Sequence, residues 1–308
     1  MEIYLPIAEL SMNVLVLLAL GGAAGLLAGM FGVGGGFLAT PLLIFVGIPP
    51  AVAVASQANQ VVANSVSSLQ VQLRRGNVDF RMGLVLLLGG MVGSSAGVAL
   101  FTWLKHIGQI DFVIAVLYVV MLSSIGGLML YESLTTYLRR RRNPEAPRGK
   151  LHTHYLVHRL PLKMRFYKSK LYISAYLPLG LGFVIGILSA ILGVGGGFIL
   201  VPAMIYLLGM PTSVVIGTSN FQILFVAANV TFLQAVTNNT VDVVLALLLI
   251  LGGVVGAPIG ARIAAKLPGV VLRGLMSVLV LGVAAQLLIQ LLRTPGSVYS
   301  IGLREVLR

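Results

Sequence analysis

The sequence predicts an all-α polytopic membrane protein, made of two duplicated repeats of about five helical segments each and arranged with inverted topology. Three observations support this prediction: the composition, the recurrence of long apolar segments, and an internal repeat. Of the 308 residues, 58% are hydrophobic and only 9% are charged, whereas a soluble domain is about one-quarter charged. Water is therefore the wrong solvent for most of this chain.

Apolar segments recur along the whole length and form two groups of five. A run of roughly 20 apolar residues with few charges is long enough to span a membrane. The predicted segments are 13–31, 37–47, 51–72, 80–104 and 112–131, then 175–192, 198–209, 213–236, 243–267 and 274–292. The gap between the groups predicts three regions: an N-terminal membrane repeat (1–131), a basic cytoplasmic linker (132–174) and a C-terminal membrane repeat (175–308).

The two groups align as a tandem duplication, which is the kind of signal to seek first in a long apolar chain. GLLAGMFGVGGGFLATPLLIFVGIPP at 25–50 matches GILSAILGVGGGFILVPAMIYLLGMP at 186–211. Further along, LLGGMVGSSAGVAL at 87–100 matches ILGGVVGAPIGARI at 250–263. The spacing between matched residues changes by only a few positions, so each half is predicted to repeat the other element by element.

Segments 37–47 and 198–209 are too short to cross a membrane. At 1.5 Å per residue they cover roughly 17 Å, against a hydrocarbon core of about 30 Å. Each follows a glycine-rich heptad, FGVGGGF at 31–37 or LGVGGGF at 192–198. We therefore predict that each heptad is the tip of a helical hairpin inside the membrane.

The charge distribution does not decide between inverted and parallel repeats. With the basic stretch placed inside, both arrangements put the same number of Lys and Arg residues on the cytoplasmic side. Inversion is favoured because it brings the two glycine tips toward the midplane from opposite faces, as in many secondary transporters.

The glycine tips are predicted to bind an anion. Glycine permits the positive φ angles and close backbone approach that a chain break needs, and the short helix after each tip begins with N–H groups that lack intrahelical partners. These donors and the positive helix end favour a negative ligand, and Pro41 and Pro202 weaken the two short helices further. The alternative is that the glycines serve tight helix packing. The predicted binding residues are Gly34, Gly35, Gly36, Gly195, Gly196 and Gly197.

A second polar cluster lies near the start of the third segment of each half. ASQANQ at 55–60 matches GTSNFQ at 217–222. Polar groups are costly in hydrocarbon and usually face the bundle interior or a cavity, although Ser, Asn and Gln also join neighbouring helices. The residues predicted to line the substrate path are Ser56, Gln57, Asn59, Thr218, Ser219, Asn220 and Gln222.

Charged residues are scarce inside the predicted spans. Asp79, Asp111 and Asp242 lie at loop margins, which disfavours a buried carboxylate proton relay. We predict no metal, no cofactor and no enzymatic activity, since no nucleophile–base pair or metal-binding pattern is present. Arg262 is a candidate counter-ion on the anion path, with snorkelling to the cytoplasmic interface as the alternative.

The net charge of +13 is concentrated in the linker. About half of the 21 Lys and Arg residues lie between Arg139 and Lys170. This pattern is typical of a cytoplasmic loop that obeys the positive-inside rule, and attraction to anionic membrane lipid follows from it. Nucleic acid is not an expected partner.

These features resemble the TauE/SafE sulfite exporter family, also called TSUP. The resemblance rests on the duplicated GVGGG with Pro41 or Pro202 after it, on GTSN at 217–220 with ASQA at 55–58 as its counterpart, and on GGxVGxxxG at 89–97 and 252–260. It implies export of sulfite, sulfoacetate, related organosulfonates or other small organic anions across the plasma (inner) membrane.

The sequence therefore predicts a secondary transporter for small sulfur oxyanions that works by alternating access. Alternatives left open are an anion channel, a transporter of small organic carboxylates, and a scaffold or receptor whose partner docks on the basic linker. The preferred anion, the coupling ion and the direction remain open, as does assembly into a homodimer.

Overall fold

A computed structural model describes residues 2–31, 36–142, 163–169, 171–266 and 269–292. In these residues the chain forms ten α-helices, and a β-hairpin precedes the first helix of each half. The first half contains β1 (Glu2–Leu5), β2 (Leu10–Asn13), α1 (Val14–Phe31), α2 (Gly36–Phe45), α3 (Pro50–Arg74), α4 (Phe80–His106) and α5 (Ile110–Arg142). The second contains β3 (Lys163–Phe166), β4 (Leu171–Ser174), α6 (Tyr176–Leu192), α7 (Gly197–Tyr206), α8 (Thr212–Leu233), α9 (Val243–Lys266) and α10 (Gly269–Leu292).

The prediction of an all-α polytopic membrane protein is confirmed. By length and composition, α4, α5, α9, α10 and the helical stretch Ser213–Asn238 are each able to cross a membrane. That last stretch combines α8 with a π-helical turn at Gln234–Asn238. The helices α2 and α7 have 10 residues each, which corresponds to about 15 Å and is too short for a crossing.

Local sequence explains where two of the helices, α4 and α9, begin. Asp79 is the N-cap of α4, where its carboxylate accepts a hydrogen bond from the backbone N–H of Met82 at 3.2 Å. Asp242 precedes α9 and accepts in the same way from the N–H of Leu245 at 3.1 Å. Each side chain satisfies a donor that the first helical turn leaves unpaired. The matched motifs GNVDF and NTVDV are therefore equivalent helix starts.

Each β-hairpin is fastened to the body of the protein by the second carboxylate oxygen of one of these aspartates. Oδ2 of Asp79 accepts from the backbone N–H of Ser169 at 2.9 Å and from its hydroxyl at 2.7 Å. Oδ2 of Asp242 accepts from the N–H of Ile7 at 3.0 Å. The N-terminal hairpin is thus held by the C-terminal half, and the second hairpin by the N-terminal half. Neither hairpin was predicted from the sequence.

The two halves interlock through two helix pairs of the same kind: α1 packs against α9, and α6 packs against α4. Glycines let the backbones touch in both pairs. A Cβ atom built on Gly25 would lie 2.5 Å from the carbonyl oxygen of Gly253, and one built on Gly186 would lie 2.5 Å from that of Gly90. Any larger residue would force the helices apart, so the GGxVGxxxG motifs serve this packing.

The equivalent helices α3 and α8 run in opposite directions. On α3 and α8, Ser56 near the start of one lies beside Asp242 beyond the end of the other. The reciprocal contact joins Thr218 near the start of α8 to Asp79 beyond the end of α3. On α5 and α10, Gly126 lies against Val280 in the same central core.

The three-region division stays a prediction, although several of its parts are described. Helix α5 continues to Arg142, so the first part of the predicted linker is helical. Its last part, 163–174, contains the β3–β4 hairpin, whose Phe166 and Ile173 belong to a buried cluster shared with several helices. Residues 143–162 lie outside the described part of the chain.

Candidate functional site

The second glycine tip is fully described and has the backbone conformation that glycine allows. Gly193 ends α6 with φ 67°, and Gly195 and Gly196 follow with φ 70° and 77°. These left-handed angles are strained for any residue with a Cβ atom. At the first tip, Gly36 is the first residue of α2, whereas the predicted binding residues Gly34 and Gly35 lie outside the described residues.

The two tips meet in the interior of the protein. A Cβ atom built on Gly36 would lie 3.1 Å from the carbonyl oxygen of Val194, which belongs to the second tip. The next residue of α2, Phe37, stacks on Phe198, the equivalent residue of α7. Among the described residues, Phe37 of the first heptad and Val194 and Phe198 of the second therefore belong to the same hydrophobic core, which is the largest one.

Three aliphatic side chains close the second tip. A Cβ atom on Gly195 would lie 2.3 Å from Cγ1 of Val61 and 3.0 Å from Cγ2 of Ile223. A Cβ atom on Gly196 would lie 2.4 Å from Cγ2 of Ile185. All three aliphatic residues are fully buried. In this conformation the tip is covered, and a ligand would reach its backbone only after these side chains move.

The start of α7 supplies the backbone donors that the glycine pattern predicts. The N–H groups of Ile199 and Leu200 donate to the carbonyl of Gly196, at 3.1 and 2.8 Å. The N–H groups of Gly197 and Phe198 come before these first helical bonds, beyond the reach of an intrahelical acceptor. The positive end of the helix dipole lies at the same place.

One face of α3 combines Val61 with buried polar groups. Gln57, Val61 and Ser65 are spaced by four residues and therefore lie on one face of the helix. The Oε1 atom of Gln57 and the hydroxyl of Ser65 are buried without a hydrogen-bond partner, while Nε2 of Gln57 donates to Oε1 of Gln60 at 2.7 Å. Unpaired buried polar atoms are uncommon and costly, so this face is a strong candidate for ligand contact.

The other two closing side chains also have polar residues one turn away. Ser219 precedes Ile223 on α8, and its hydroxyl donates to the carbonyl of Ile216 at 3.1 Å. Ser189 follows Ile185 on α6, and its buried hydroxyl has no partner. Polar groups on three helices thus lie one helical turn from the side chains that cover the tip.

Other predicted residues bond the halves together instead. The hydroxyl of Ser56 accepts from the backbone N–H of Asp242 at 2.9 Å, and that of Thr218 accepts from the N–H of Asp79 at 3.0 Å. Asn220 donates to the hydroxyl of Ser68 at 2.7 Å. These three side chains position α3 and α8 relative to the opposite half.

Three predicted residues lie elsewhere. Asn59 is half-buried and donates to the carbonyl of Ser56 at 3.4 Å. Gln222 is fully buried against Gly90 of α4, and neither atom of its amide is hydrogen-bonded. Arg262 is exposed on α9. The structure therefore does not bring Arg262 to the described tip.

Sequence reasoning missed the apolar residues of the site and one tyrosine. Val61 and Ile223 carry no chemical signal, although they occupy matched positions in the two repeats. Tyr118 of α5 is buried in the central core, and its hydroxyl donates to the carbonyl of Leu192 just before the second tip. A tyrosine in an otherwise apolar span would have been the signal, because a buried hydroxyl needs a partner.

Comparison with known proteins decides the family. The family model described as "Sulfite exporter TauE/SafE" matches residues 17–287, which include both glycine tips and both interlocked helix pairs. The chain belongs to the TauE/SafE sulfite exporter family. No solved structure matches it.

Bacterial relatives agree with this membership. A probable membrane transporter protein of Xylella fastidiosa (strain 9a5c) is 29% identical over 256 residues, covering 82% of this chain and 86% of the relative. The probable membrane transporter protein YunE of Bacillus subtilis (strain 168) is 25% identical over 287 residues, covering 90% and 98%. YjnA of the same strain, with the same description, is 28% identical over 248 residues, covering 79% and 87%. This TauE/SafE protein is therefore a multi-pass membrane transporter.

Proposed function

We propose that this TauE/SafE protein is a secondary transporter that exports small sulfur oxyanions or organosulfonates, such as sulfite or sulfoacetate, across the plasma membrane by alternating access. The observation that carries the proposal is the meeting of the two tips, at Gly36 and Val194, in the protein interior. Each tip precedes a short helix whose first N–H groups suit an anion. The sulfur specificity is supported by the family resemblance.

In the proposed site, the oxyanion takes hydrogen bonds from the backbone of both glycine tips, including Gly34 and Gly35 of the first. Gln57 and Ser219 lie on the helix faces that cover the second tip, so they contact the anion once Val61 and Ile223 have moved aside. Ser56, Thr218 and Asn220 contribute by positioning these helices. A site of neutral donors stabilises an anion less than a fixed cation would, which favours release on the far side.

The proposed transport cycle uses inverted repeats. The opposite directions of α3 and α8 support inversion, because equivalent helices run antiparallel when one repeat is turned over relative to the other. In that arrangement one hairpin tip enters from each side of the membrane. Rocking of one half against the other then exposes the tips to each side in turn.

Uptake into proteoliposomes tests this proposal. Purified protein should give saturable uptake of sulfite and of sulfoacetate, should show counterflow of preloaded substrate, and should respond to one sign of an imposed pH gradient if protons are coupled. Absence of saturable uptake of any small anion would overturn the transport proposal. Uptake of acetate-like carboxylates but not of sulfur oxyanions would overturn only the substrate class.

Electrical recording separates the carrier from the channel alternative. A carrier should give small currents that saturate with substrate concentration. Currents far above carrier turnover, without counterflow, would favour an anion channel that uses the same polar path.

A further inference from the structure

Two equivalent glutamines of the repeats are placed alike but bonded differently. Gln60 on α3 and Gln222 on α8 each lie against the equivalent glycine of the opposite half. A Cβ atom on Gly253 would lie 2.6 Å from Nε2 of Gln60, and one on Gly90 would lie 2.7 Å from Nε2 of Gln222. Both glutamines are fully buried.

Only the first of these glutamines is satisfied. Nε2 of Gln60 donates to the carbonyl of Gly21 on α1 at 3.1 Å and to that of Leu249 on α9 at 2.9 Å, so its amide joins both helices of the pair. Gln222 has no hydrogen bond at either amide atom. The carbonyls equivalent to those that Gln60 binds belong to Gly182 on α6 and Leu86 on α4.

The two helix pairs also differ in spacing at the level of the glutamines. In the α1–α9 pair, a Cβ atom on Gly21 would lie 2.7 Å from the carbonyl oxygen of Leu249. In the α4–α6 pair, the equivalent Cβ atom on Gly182 would lie only 2.2 Å from that of Leu86. The pair that holds its glutamine is therefore the wider one at this end.

At the far end the difference reverses. A Cβ atom on Gly260 would lie 1.9 Å from the carbonyl oxygen of Leu26 in the α1–α9 pair. The equivalent distance in the α4–α6 pair, from Gly97 to Ile187, is 2.9 Å. Each pair is thus wide at one end and narrow at the other, and the two pairs are tilted in opposite senses.

We propose that Gln60 and Gln222 are reciprocal positioning residues that each stabilise one of the two orientations of the halves. In the described orientation, Gln60 bridges α1 and α9 and holds that end open. In the opposite orientation, Gln60 is released and Gln222 bridges α4 and α6 through Leu86 and Gly182. This inference rests on the proposed alternating access, because two orientations of the halves must exist.

Each glutamine favours one orientation because a buried amide without a hydrogen-bond partner costs free energy. The described orientation gains two hydrogen bonds at Gln60 and leaves Gln222 unsatisfied, while the opposite orientation exchanges these roles. Each orientation thus has one glutamine with two hydrogen bonds and one with an unpaired amide. The free energies of the two orientations are therefore nearly equal, and neither orientation dominates. A transporter needs such a balance, since a strongly preferred orientation would trap the protein on one side.

Fluorine NMR on the full-length protein in nanodiscs tests this inference without any substrate. The chain has no cysteine, so a trifluoroethyl label can be placed singly at Leu15→Cys on α1 or at the equivalent Tyr176→Cys on α6. Both positions are exposed, at 71% and 50%. The parent protein is expected to give two signals, one for each orientation.

Leucine variants are expected to shift the two populations in opposite directions. Gln60→Leu should favour the opposite orientation by about tenfold, as expected for the loss of a hydrogen-bonded bridge. Gln222→Leu should favour the described orientation by a similar factor, because it removes only an unpaired amide there. The double variant should return near the parent ratio. Gln70→Leu, a substitution at an exposed position of α3, should change nothing.

Two results would overturn the inference: populations that shift in the same direction for both variants, and a single signal that neither variant changes. The alternative to two orientations is a permanent difference in spacing between the two helix pairs. It would arise because Ala190 on α6 stands where α1 has Gly29, and the Cβ of Ala190 would lie 2.8 Å from a Cβ atom built on Gly97. In that case Ala190→Gly alone would make the pairs alike. If the two variants shift the NMR populations in opposite directions but the protein does not take up sulfite, the role of the glutamines is supported and the proposed substrate is contradicted.

Discussion

Phe37 and Phe198 stack with their ring centroids 4.2 Å apart and their planes 7° apart. They are equivalent residues of the two repeats, each placed directly after a glycine tip, and both are 1% exposed. The stack therefore joins the tips across the interface between the halves. This contact couples the first turn of α2 to the first turn of α7.

Breaking the stack should weaken the coupling between the tips. Phe37→Leu and Phe198→Leu keep most of the apolar volume but remove the ring contact. In a double-mutant cycle of unfolding in mixed micelles, the coupling energy should be about 0.5–1.5 kcal/mol. Phe232→Leu, at a position that is 65% exposed, should show no coupling to Phe198→Leu. A coupling near zero for the stacked pair would contradict this role.

The space around Gly195 should make it far less tolerant of a side chain than another glycine with the same backbone conformation. Gly195 and Gly209 have φ angles of 70° and 72°, so alanine costs each about 1–2 kcal/mol in backbone strain. Only at Gly195 would the Cβ atom also meet a neighbour, Cγ1 of Val61 at 2.3 Å, whereas Gly209 faces open space.

We expect Gly195→Ala to lose at least a further 1–3 kcal/mol of unfolding free energy and most anion uptake. Gly209→Ala should retain uptake. The measurements are unfolding in mixed micelles and uptake of sulfite into proteoliposomes. Equal loss in both variants would mean that backbone strain alone, and not the closed tip, explains the effect.

Asp79 and Asp242 should each stabilise only the β-hairpin to which it is hydrogen-bonded. Asp79→Ala removes the acceptor for both groups of Ser169, and Asp242→Ala removes the acceptor for the N–H of Ile7. In hydrogen–deuterium exchange, the first variant should speed exchange by about 5–150-fold around residues 163–169, and the second around 2–13, as expected for about 1–3 kcal/mol. Loss of protection at both hairpins in either variant would instead indicate general unfolding.

The Tyr118 hydroxyl should stabilise the approach to the second tip. Tyr118→Phe removes only the oxygen that donates to Leu192, which leaves a buried carbonyl with one partner fewer. We expect a loss of about 1–2 kcal/mol in unfolding free energy and a slower uptake rate. Tyr131→Phe, at a position that is 71% exposed, is the matched control. Unchanged stability and uptake in Tyr118→Phe would show that this contact has no role.

A substitution on the polar face of α3 should affect transport without lowering the stability of the fold. Ser65→Ala removes a buried hydroxyl that has no partner, so the fold should be equally or slightly more stable. If this face contacts the anion, the half-saturating concentration of sulfite should rise several-fold. The thermal unfolding midpoint and the uptake kinetics check the two parts. A stable variant with unchanged uptake kinetics would remove Ser65 from the substrate path.

Most of the helices could be predicted from the sequence, because short-range sequence patterns define them. The duplicated heptads and the ten apolar segments define most helix ends within a few residues, because membrane crossing requires long apolar runs and glycine marks the breaks. The main exception is α5, which continues eleven residues beyond its predicted segment to Arg142. The hairpins could not be predicted in this way. Their strands have four residues each, and the bond that fastens Ile7 comes from Asp242, 235 residues away.

The sequence by itself determined the membrane class, the duplication, and the composition of the polar runs after the tips. Only the tertiary structure decided which of those polar residues face the tips. Gln57 and Ser65 lie on the face of Val61, whereas Ser56 and Thr218 bond the loops of the opposite half. Neighbouring residues on a helix point to different sides, and what lies on each side depends on how distant helices cross.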